Sequence, residues 1–143
     1  MPISKQEFYE GAALHALART GRISGISYEH PFFILNEYLA VYFKYSTRCR
    51  SPWSFTFTQN EQLSLHQFSS KYEIVIAFIC GSDSVAAISY NEYITVATLR
   101  TSSVHLACFR KHRKQFEISG PDGVLCRKVA PSDWQRIFNS KGK

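Results

Sequence analysis

The most informative pattern of hydrophobic and polar residues lies between positions 31 and 46. Positions 32–35 form a short apolar run, Asn36-Glu37 is a typical turn pair, and positions 39–45 form a second run of aromatic and branched side chains that contains Lys44. Apolar runs of this length on either side of a turn predict two neighbouring strands. Because an ammonium group loses favourable hydration on burial, Lys44 either faces solvent or occupies a polar site.

Capping boxes predict two helices in the first half of the chain. Ser4 precedes a helix at 5–20 and Thr58 precedes a helix at 59–70, and each cap is followed three residues later by a glutamate. Strands are predicted at 22–28, 31–35, 39–46, 54–58, 72–80 and 85–88. The strongly apolar segment 72–80 is expected to be the buried central strand.

The second half of the chain predicts an addition to this core. A short helix is expected at 91–99, strands at 104–109, 115–119 and 124–129 should form an antiparallel meander, and Pro131 should open a last helix. With no linker or repeat, the 143 residues predict one domain, with a core at about 5–80 and an elaboration at about 81–143. The expected fold class is α/β, of the α+β type, with a mixed sheet.

The order of elements over roughly residues 5–80 resembles the restriction-endonuclease-like (PD-(D/E)XK) nuclease superfamily, which includes Holliday-junction resolvases and many restriction enzymes. In that family Pro-Asp opens the second strand and Glu-Xaa-Lys lies in the third. Pro31 falls on the proline and Lys44 on the lysine, whereas Phe32 and Tyr42 replace the two acids. The resemblance implies an αβββαβ core and a degenerate member of the family.

Loss of both acids has a chemical consequence. The family's acids hold divalent cations, which together with the lysine activate water, and such hard cations need anionic oxygen ligands. The resemblance therefore implies either that catalysis is lost and Lys44 is vestigial, or that the acids have moved. Glu29 and Glu37 are the nearest candidates for relocated acids. We expect loss of catalysis, because two acids would have to move together, and Mg²⁺ or Mn²⁺ would be a cofactor only in an active enzyme.

The chain is basic, and its basic residues are clustered. The net charge is +6 and the pI is about 9.3, so the protein should be attracted to polyanions such as DNA or RNA. One cluster, at 48–53, directly follows the Lys44 strand, and the other occupies the predicted hairpin turn at 110–114. The predicted nucleic-acid-binding residues are Lys44, Arg48, Arg50, Trp53, Arg110, Lys111, Arg113 and Lys114.

Each cluster has a second interpretation. Trp53 could stack on a base or could fill a gap in the hydrophobic core. The run at 110–114 could contact a nucleic-acid groove or could be simply a solvated turn. If Lys44, Arg48 and Arg50 share one concave surface with nearby acids, the nuclease inheritance keeps a functional meaning, and if Lys44 is isolated it does not.

Three further features of the sequence restrict the expected location and chemistry of the protein. The polar N-terminus and the lack of a long apolar run predict a cytoplasmic protein without a membrane partner. The four cysteines lack CxxC spacing, so no zinc site, other metal site or disulfide framework is predicted. No glycine-rich phosphate loop is present, which argues against nucleotide hydrolysis.

Three functions are compatible with these observations. The first, which we favour, is a nuclease-derived, catalytically inactive module that binds nucleic acid or serves as an accessory subunit in a defence, repair or mobile-element system. The second is a protein-interaction or structural domain in which the basic residues only maintain solubility. The third is an active, metal-dependent nuclease with displaced acids.

Overall fold

The computed structural model describes residues 2–138, which form nine strands, three α-helices and one 3₁₀ helix. The predicted mixed α+β fold is confirmed. In chain order the elements are α1 (Lys5–Ala18), β1 (Ile26–Glu29), β2 (Phe32–Leu35), β3 (Leu39–Ser46), β4 (Trp53–Phe57), α2 (Gln59–Ser69), β5 (Glu73–Cys80), β6 (Ser84–Ser89), α3 (Tyr90–Val96), β7 (Val104–Arg110), β8 (Phe116–Gly120), β9 (Gly123–Val124) and the 3₁₀ helix Pro131–Arg136.

Sheet A contains five strands in the order β1-β2-β3-β5-β6. β3 and β5 are parallel, and the other neighbours in the sheet are antiparallel. The segment 31–46 contains two strands and a turn, and with β5 these strands form the centre of the sheet, as predicted. A parallel pair needs a long crossover connection, which here contains β4 and α2.

Sheet B contains four antiparallel strands in the order β4-β7-β8-β9. The predicted C-terminal meander is confirmed, but the sequence did not show that β4 would leave the first sheet and pair with β7. The strand expected at 124–129 is shorter, since only Gly123–Val124 is a strand and Val129 forms a single bridge to Phe116. The final helix is a 3₁₀ helix, and the last residues of the predicted tail lie outside the described residues.

Sheet A is the middle layer of the molecule. Alternate side chains of β3 enter two separate hydrophobic clusters. Val41 and Phe43 pack with Leu17 of α1 and with Trp134 of the 3₁₀ helix. Ala40 and Tyr42 face the other side, where the cluster includes Leu65 of α2 and the inner side chains of sheet B. Because side chains alternate along a strand, β3 has two buried faces. Lys44 lies on the same face as Ala40 and Tyr42.

Capping boxes begin all three α-helices. The predicted boxes at Ser4 and Thr58 are confirmed, and a third lies at Ser89, where the side chain accepts a hydrogen bond from the backbone of Glu92. Within residues 2–138, no helix is long and apolar enough to cross a membrane.

Candidate nucleic-acid interface

Lys44 lies on the face of β3 that also carries Ala40 and Tyr42, in a half-buried polar site between sheet A and α2. Its Nζ atom is 2.8 Å from Oε2 of Glu61, and the two side chains are 20% and 23% exposed. The ammonium group also lies 5.0 Å from the centre of the Phe57 ring, a distance at which a cation is attracted to the ring. Of the two possibilities left by the sequence, the polar site is correct.

Glu61 accepts hydrogen bonds from several groups at once. The Tyr42 hydroxyl donates to the same carboxylate oxygen that binds Lys44, and the backbone N–H of Thr58 donates to the other at 2.9 Å. Burial opposes ionisation of Glu61, but the hydrogen bonds from Lys44, Tyr42 and Thr58 outweigh it and hold the pKa below its usual value. Burial and the adjacent carboxylate raise the pKa of Tyr42, which keeps its proton. The site is a closed ion pair with a neutral phenol.

The two acids that the sequence offered as relocated ligands lie elsewhere. Glu29 binds the Tyr72 hydroxyl and lies 3.6 Å from the Lys71 ammonium. Glu37 is exposed in the β2–β3 turn, and the strand between this turn and Lys44 is about 17 Å long. The structure brings neither acid to Lys44, so neither stands beside the lysine as a relocated motif acid would.

The sequence analysis missed Glu61 as the partner of Lys44. The only signal at this position is the capping box, which gives the glutamate a local role. The parallel pairing of β3 and β5 places the start of α2 at the carboxyl ends of these strands, and this brings Glu61 to Lys44. That juxtaposition spans 17 residues of sequence and depends on the sheet.

The residues at the motif positions do not fit a divalent cation. Phe32 and Tyr42 share with Lys44 the face of sheet A that packs against sheet B, but their rings lie 5.3 Å apart in the hydrophobic core. Phe68 of α2 stacks on Phe32 at 4.2 Å. Glu61 is a single carboxylate, and Lys44 and Tyr42 already occupy it. Within residues 2–138, no group of three or more His, Cys, Asp or Glu side chains is arranged to hold a metal ion.

Trp53 is part of the core. The side chain is 1% exposed, its Nε1 donates to the carbonyl oxygen of Arg48 at 2.8 Å, and its ring packs against Phe116 at 6.0 Å. The nucleic-acid role predicted for Trp53 is therefore wrong, because a buried indole cannot reach a base. Its hydrogen bond shapes the loop that carries the exposed residues Arg48 and Arg50.

Arg110, at the base of the predicted hairpin, is anchored by contacts with neighbouring elements of the protein. Its guanidinium binds Asp83 and Ser84, its Nε donates to the carbonyl oxygen of Lys114 at 2.6 Å, and it lies over the Phe116 ring. These contacts indicate that Arg110 holds the turn in place.

The turn itself carries three exposed cations. Lys111, Arg113 and Lys114 are exposed, and none of them pairs with a carboxylate among residues 2–138. The backbone N–H of Lys114 donates to the carbonyl oxygen of Lys111 at 2.9 Å, and Arg113 has a positive φ of 61°. This hydrogen bond fixes the backbone of the turn, while the ammonium and guanidinium groups remain in water.

The two basic clusters meet at one end of sheet B. The antiparallel pairing of β4 with β7 places Trp53 opposite Cys108, so the segments that adjoin them lie side by side. The Ser51 hydroxyl donates to the carbonyl oxygen of Arg110 at 3.0 Å, a contact that joins residues 59 positions apart. The loop with Arg48 and Arg50 therefore adjoins the base of the hairpin, which the sequence did not predict.

A shallow pocket with a volume of about 470 Å³ lies beside the hairpin, on the outer face of sheet B. We call this pocket the basic hollow. Its lining residues are Phe109, Lys111, Arg113, Lys114, Gln115, Glu117 and Lys128. It contains four cations and one carboxylate, and the Phe109 ring is 40% exposed. Lys128 lies 3.1 Å from Glu117 in an exposed pair.

Phe109 and Lys128 were missed in the sequence. Phe109 had a usable signal, because Leu106 and Cys108 are core residues, so alternation along β7 turns position 109 outward. Lys128 had none, since it lies within segment 124–129, which was expected to be one continuous strand. Its proximity to the hairpin depends on the pairing of Phe116 with Val129.

The chain matches no protein-family model, and no curated protein or solved structure matches it with significance. The basic hollow and the closed Lys44 pair are therefore interpreted from their own geometry.

Proposed function

We propose that this protein is a non-catalytic, nuclease-derived domain that binds nucleic acid at the basic end of sheet B. In this proposal it serves as a binding or accessory module in a defence, repair or mobile-element system. The observation that carries the proposal is the contact between the two basic clusters at one end of sheet B, together with the basic hollow in the second cluster, whose lining includes the exposed Phe109. The restriction-endonuclease-like origin rests on the order of the elements and on the shared face of Phe32, Tyr42 and Lys44.

The charge arrangement supports contact with a phosphate backbone. Arg48, Arg50 and the three cations of the turn have no carboxylate partner among residues 2–138, so a phosphate would not have to displace an existing ion pair. Each cation that neutralises a phosphate releases counterions, which favours binding at low salt. A net charge of +6 adds long-range attraction to any polyanion.

The binding test compares two variants with the same change in charge. The site variant carries Lys111→Ser, Arg113→Ser and Lys114→Ser, and the control carries Lys5→Ser, Arg19→Ser and Arg22→Ser, which alter exposed cations in and after α1. Fluorescence anisotropy with labelled DNA and RNA at several salt concentrations gives affinity and its salt dependence. We expect the slope of log affinity against log salt to fall by about 2 to 3 in the site variant and to change little in the control. Equal losses in both variants would contradict a defined interface.

Loss of catalysis has its own test. The aromatic residues at both acid positions and the closed Lys44–Glu61 pair support an inactive protein. Purified protein incubated with DNA or RNA in Mg²⁺ or Mn²⁺ should leave both intact. Metal-dependent cleavage that Lys44→Ala abolishes would overturn this part of the proposal. Glu29→Gln, Glu37→Gln and Glu61→Gln would then identify the acids involved.

A second candidate function is a protein-interaction domain. An open, mainly apolar groove of about 860 Å³ lies between α1, the β5–β6 turn and the 3₁₀ helix. Its lining includes Phe8, which is 63% exposed, and several alanines of α1. Exposed apolar surface of this kind is typical of contact sites. If nucleic-acid binding is absent at all salt concentrations, this function becomes the better explanation.

A further inference from the structure

We infer that the outer face of sheet B binds single-stranded nucleic acid and that Phe109 is its base-stacking residue. The inference rests on the proposed function, because it assigns a class of nucleic acid and a reading surface to the same basic end. The sequence singled out only the cations of this region, and it gave Phe109 no role.

The outer face of sheet B is an open platform. Strand alternation turns Trp53, Leu106 and Phe116 into the core. The residues left on the outer face are Ser54 and Thr56 of β4, His105, Ala107 and Phe109 of β7, Glu117 and Ser119 of β8, and Val124 of β9. Apart from Phe109 and His105 these side chains lack rings. Ser54, Ala107 and Ser119, which lie side by side across the sheet, are small. Such a surface leaves room for flat groups to lie against it.

Phe109 stands at the basic end of this platform. It pairs across the sheet with Glu117, which extends toward Lys128, so the register gives the ring no apolar neighbour on β8. A large apolar side chain that keeps 40% of its surface in water gains free energy when a ligand covers it. Every nucleobase has a flat aromatic face that can do so, whatever the sequence.

The cations around the ring are placed to bind the phosphates that flank a stacked base. Lys111, Lys114 and Lys128 line the same hollow as Phe109. A nucleotide whose base lies on the ring therefore has its phosphates within a basic rim. This combination of an aromatic platform and a cationic groove is how proteins hold single strands without reading their sequence.

The platform continues beyond one nucleotide. A second shallow cavity of about 380 Å³ lies on the same face, and its lining includes Ser54, His105, Ala107 and Ser119. His105 and Phe109 are four residues apart on β7, which places their backbone positions about 13 Å apart. The His105 ring is held by a 2.9 Å hydrogen bond to the Thr56 hydroxyl. A single strand can thus lie along β7 from the hairpin toward His105.

A duplex fits this surface less well. Its bases are already stacked and paired, so the Phe109 ring at the wall of the hollow cannot reach a base face. A duplex would contact only the cations of the turn through its phosphates, which carry no more than the electrostatic part of binding. The geometry therefore favours unpaired over paired nucleic acid.

The test measures binding of labelled oligo(dT), oligo(U) and a DNA duplex of equal length to the intact protein. We expect the single strands to bind more tightly than the duplex. Phe109→Ala should weaken single-strand binding about 5- to 150-fold with an unchanged salt slope, as expected for loss of one base–aromatic stack. Duplex binding should stay the same. Phe109→Tyr should restore single-strand affinity, and Phe8→Ala, which alters another exposed aromatic, is the matched control.

A second variant covers the case in which Phe109→Ala lowers stability. Phe109→Trp keeps a large ring, and its exposed indole should be quenched by single strands and not by duplex, whereas Trp53 and Trp134 are buried. Absence of that quenching, or equal affinity for duplex and single strands, would overturn the inference. If the hairpin variant still loses binding in that case, the proposed function stands. If the unaltered protein binds no nucleic acid at all, the proposed function fails with it.

Discussion

Lys44 and the lysines of the hairpin differ in what surrounds their charge. Lys44 falls on the motif lysine in the proposed nuclease resemblance, and it is enclosed by Glu61, Tyr42 and Phe57. Lys111 and Lys114 lie in a turn without any motif, and their ammonium groups are exposed beside a concave surface. Position in a motif therefore did not predict which cation is available to a ligand.

The physical reason is the cost of removing a charge from water. A half-buried ammonium is tolerated only if a carboxylate and further hydrogen bonds replace its hydration, so Lys44 is tied to its partner. An exposed cation keeps its water and needs no partner until a phosphate arrives. The Lys44 region should thus respond to mutation through stability, and the hairpin through binding.

The largest effect is expected for Trp53, which is buried beneath the loop that carries Arg48 and Arg50. Trp53→Ala should lower the free energy of unfolding by about 3 to 5 kcal/mol, because it removes a buried ring and leaves a cavity. Chemical denaturation measures the change. Trp53→Phe should recover part of the loss, and its remaining deficit would combine the smaller ring with the lost hydrogen bond to Arg48. A folded, equally stable Trp53→Ala variant with weaker single-strand binding would return the indole to the interface.

Breaking the Lys44 ion pair should have the next largest effect. Glu61→Gln keeps an acceptor for the capping box but removes the counter-charge of Lys44, so we expect a loss of about 1 to 3 kcal/mol in unfolding free energy. Lys44→Met in the same chain should recover much of it, because no unpaired charge remains. Equal losses for the single and double variants would show that the two charges are not coupled.

Acid should weaken the same pair. Because the pKa of Glu61 is lower in the folded protein than its usual 4.5, the unfolded chain binds more protons as pH falls. The stability from Glu61 is therefore complete above about pH 4.5 and is lost as pH falls through the folded-state pKa. The stability difference between the unaltered protein and Glu61→Gln, measured by denaturation at several pH values, should shrink below pH 4.5. Glu92 shifts in the same direction and is unchanged in both proteins.

The smallest effects separate single cations in binding. Arg48→Ser or Arg50→Ser should each lower the slope of log affinity against log salt by about 0.7 to 0.9 if the residue contacts a phosphate. Lys44→Met should leave the slope unchanged, since its charge is already neutralised. A normal slope change for Lys44→Met, measured by the same anisotropy titration, would place Lys44 in the interface and remove the contrast between the two regions.

Most of the local structure was predictable because its causes are local. The apolar runs around Asn36-Glu37 are strands, and the serine or threonine caps of α1 and α2 begin helices, since both signals depend on residues a few positions apart. The turn at 110–114 and the meander around it were likewise readable from alternation and turn residues.

Which residues belong to the candidate site could not be predicted in the same way. Whether Trp53 faces a ligand or the core depends on where β4 pairs, and it pairs with β7, about 50 residues further along the chain. The carboxylate for Lys44 comes from a helix start that only the parallel pairing of β3 with β5 brings near. Sequence alone determined the elements and the excess of positive charge. Tertiary structure decided which charges are paired, because burial depends on packing between segments that are distant in the chain.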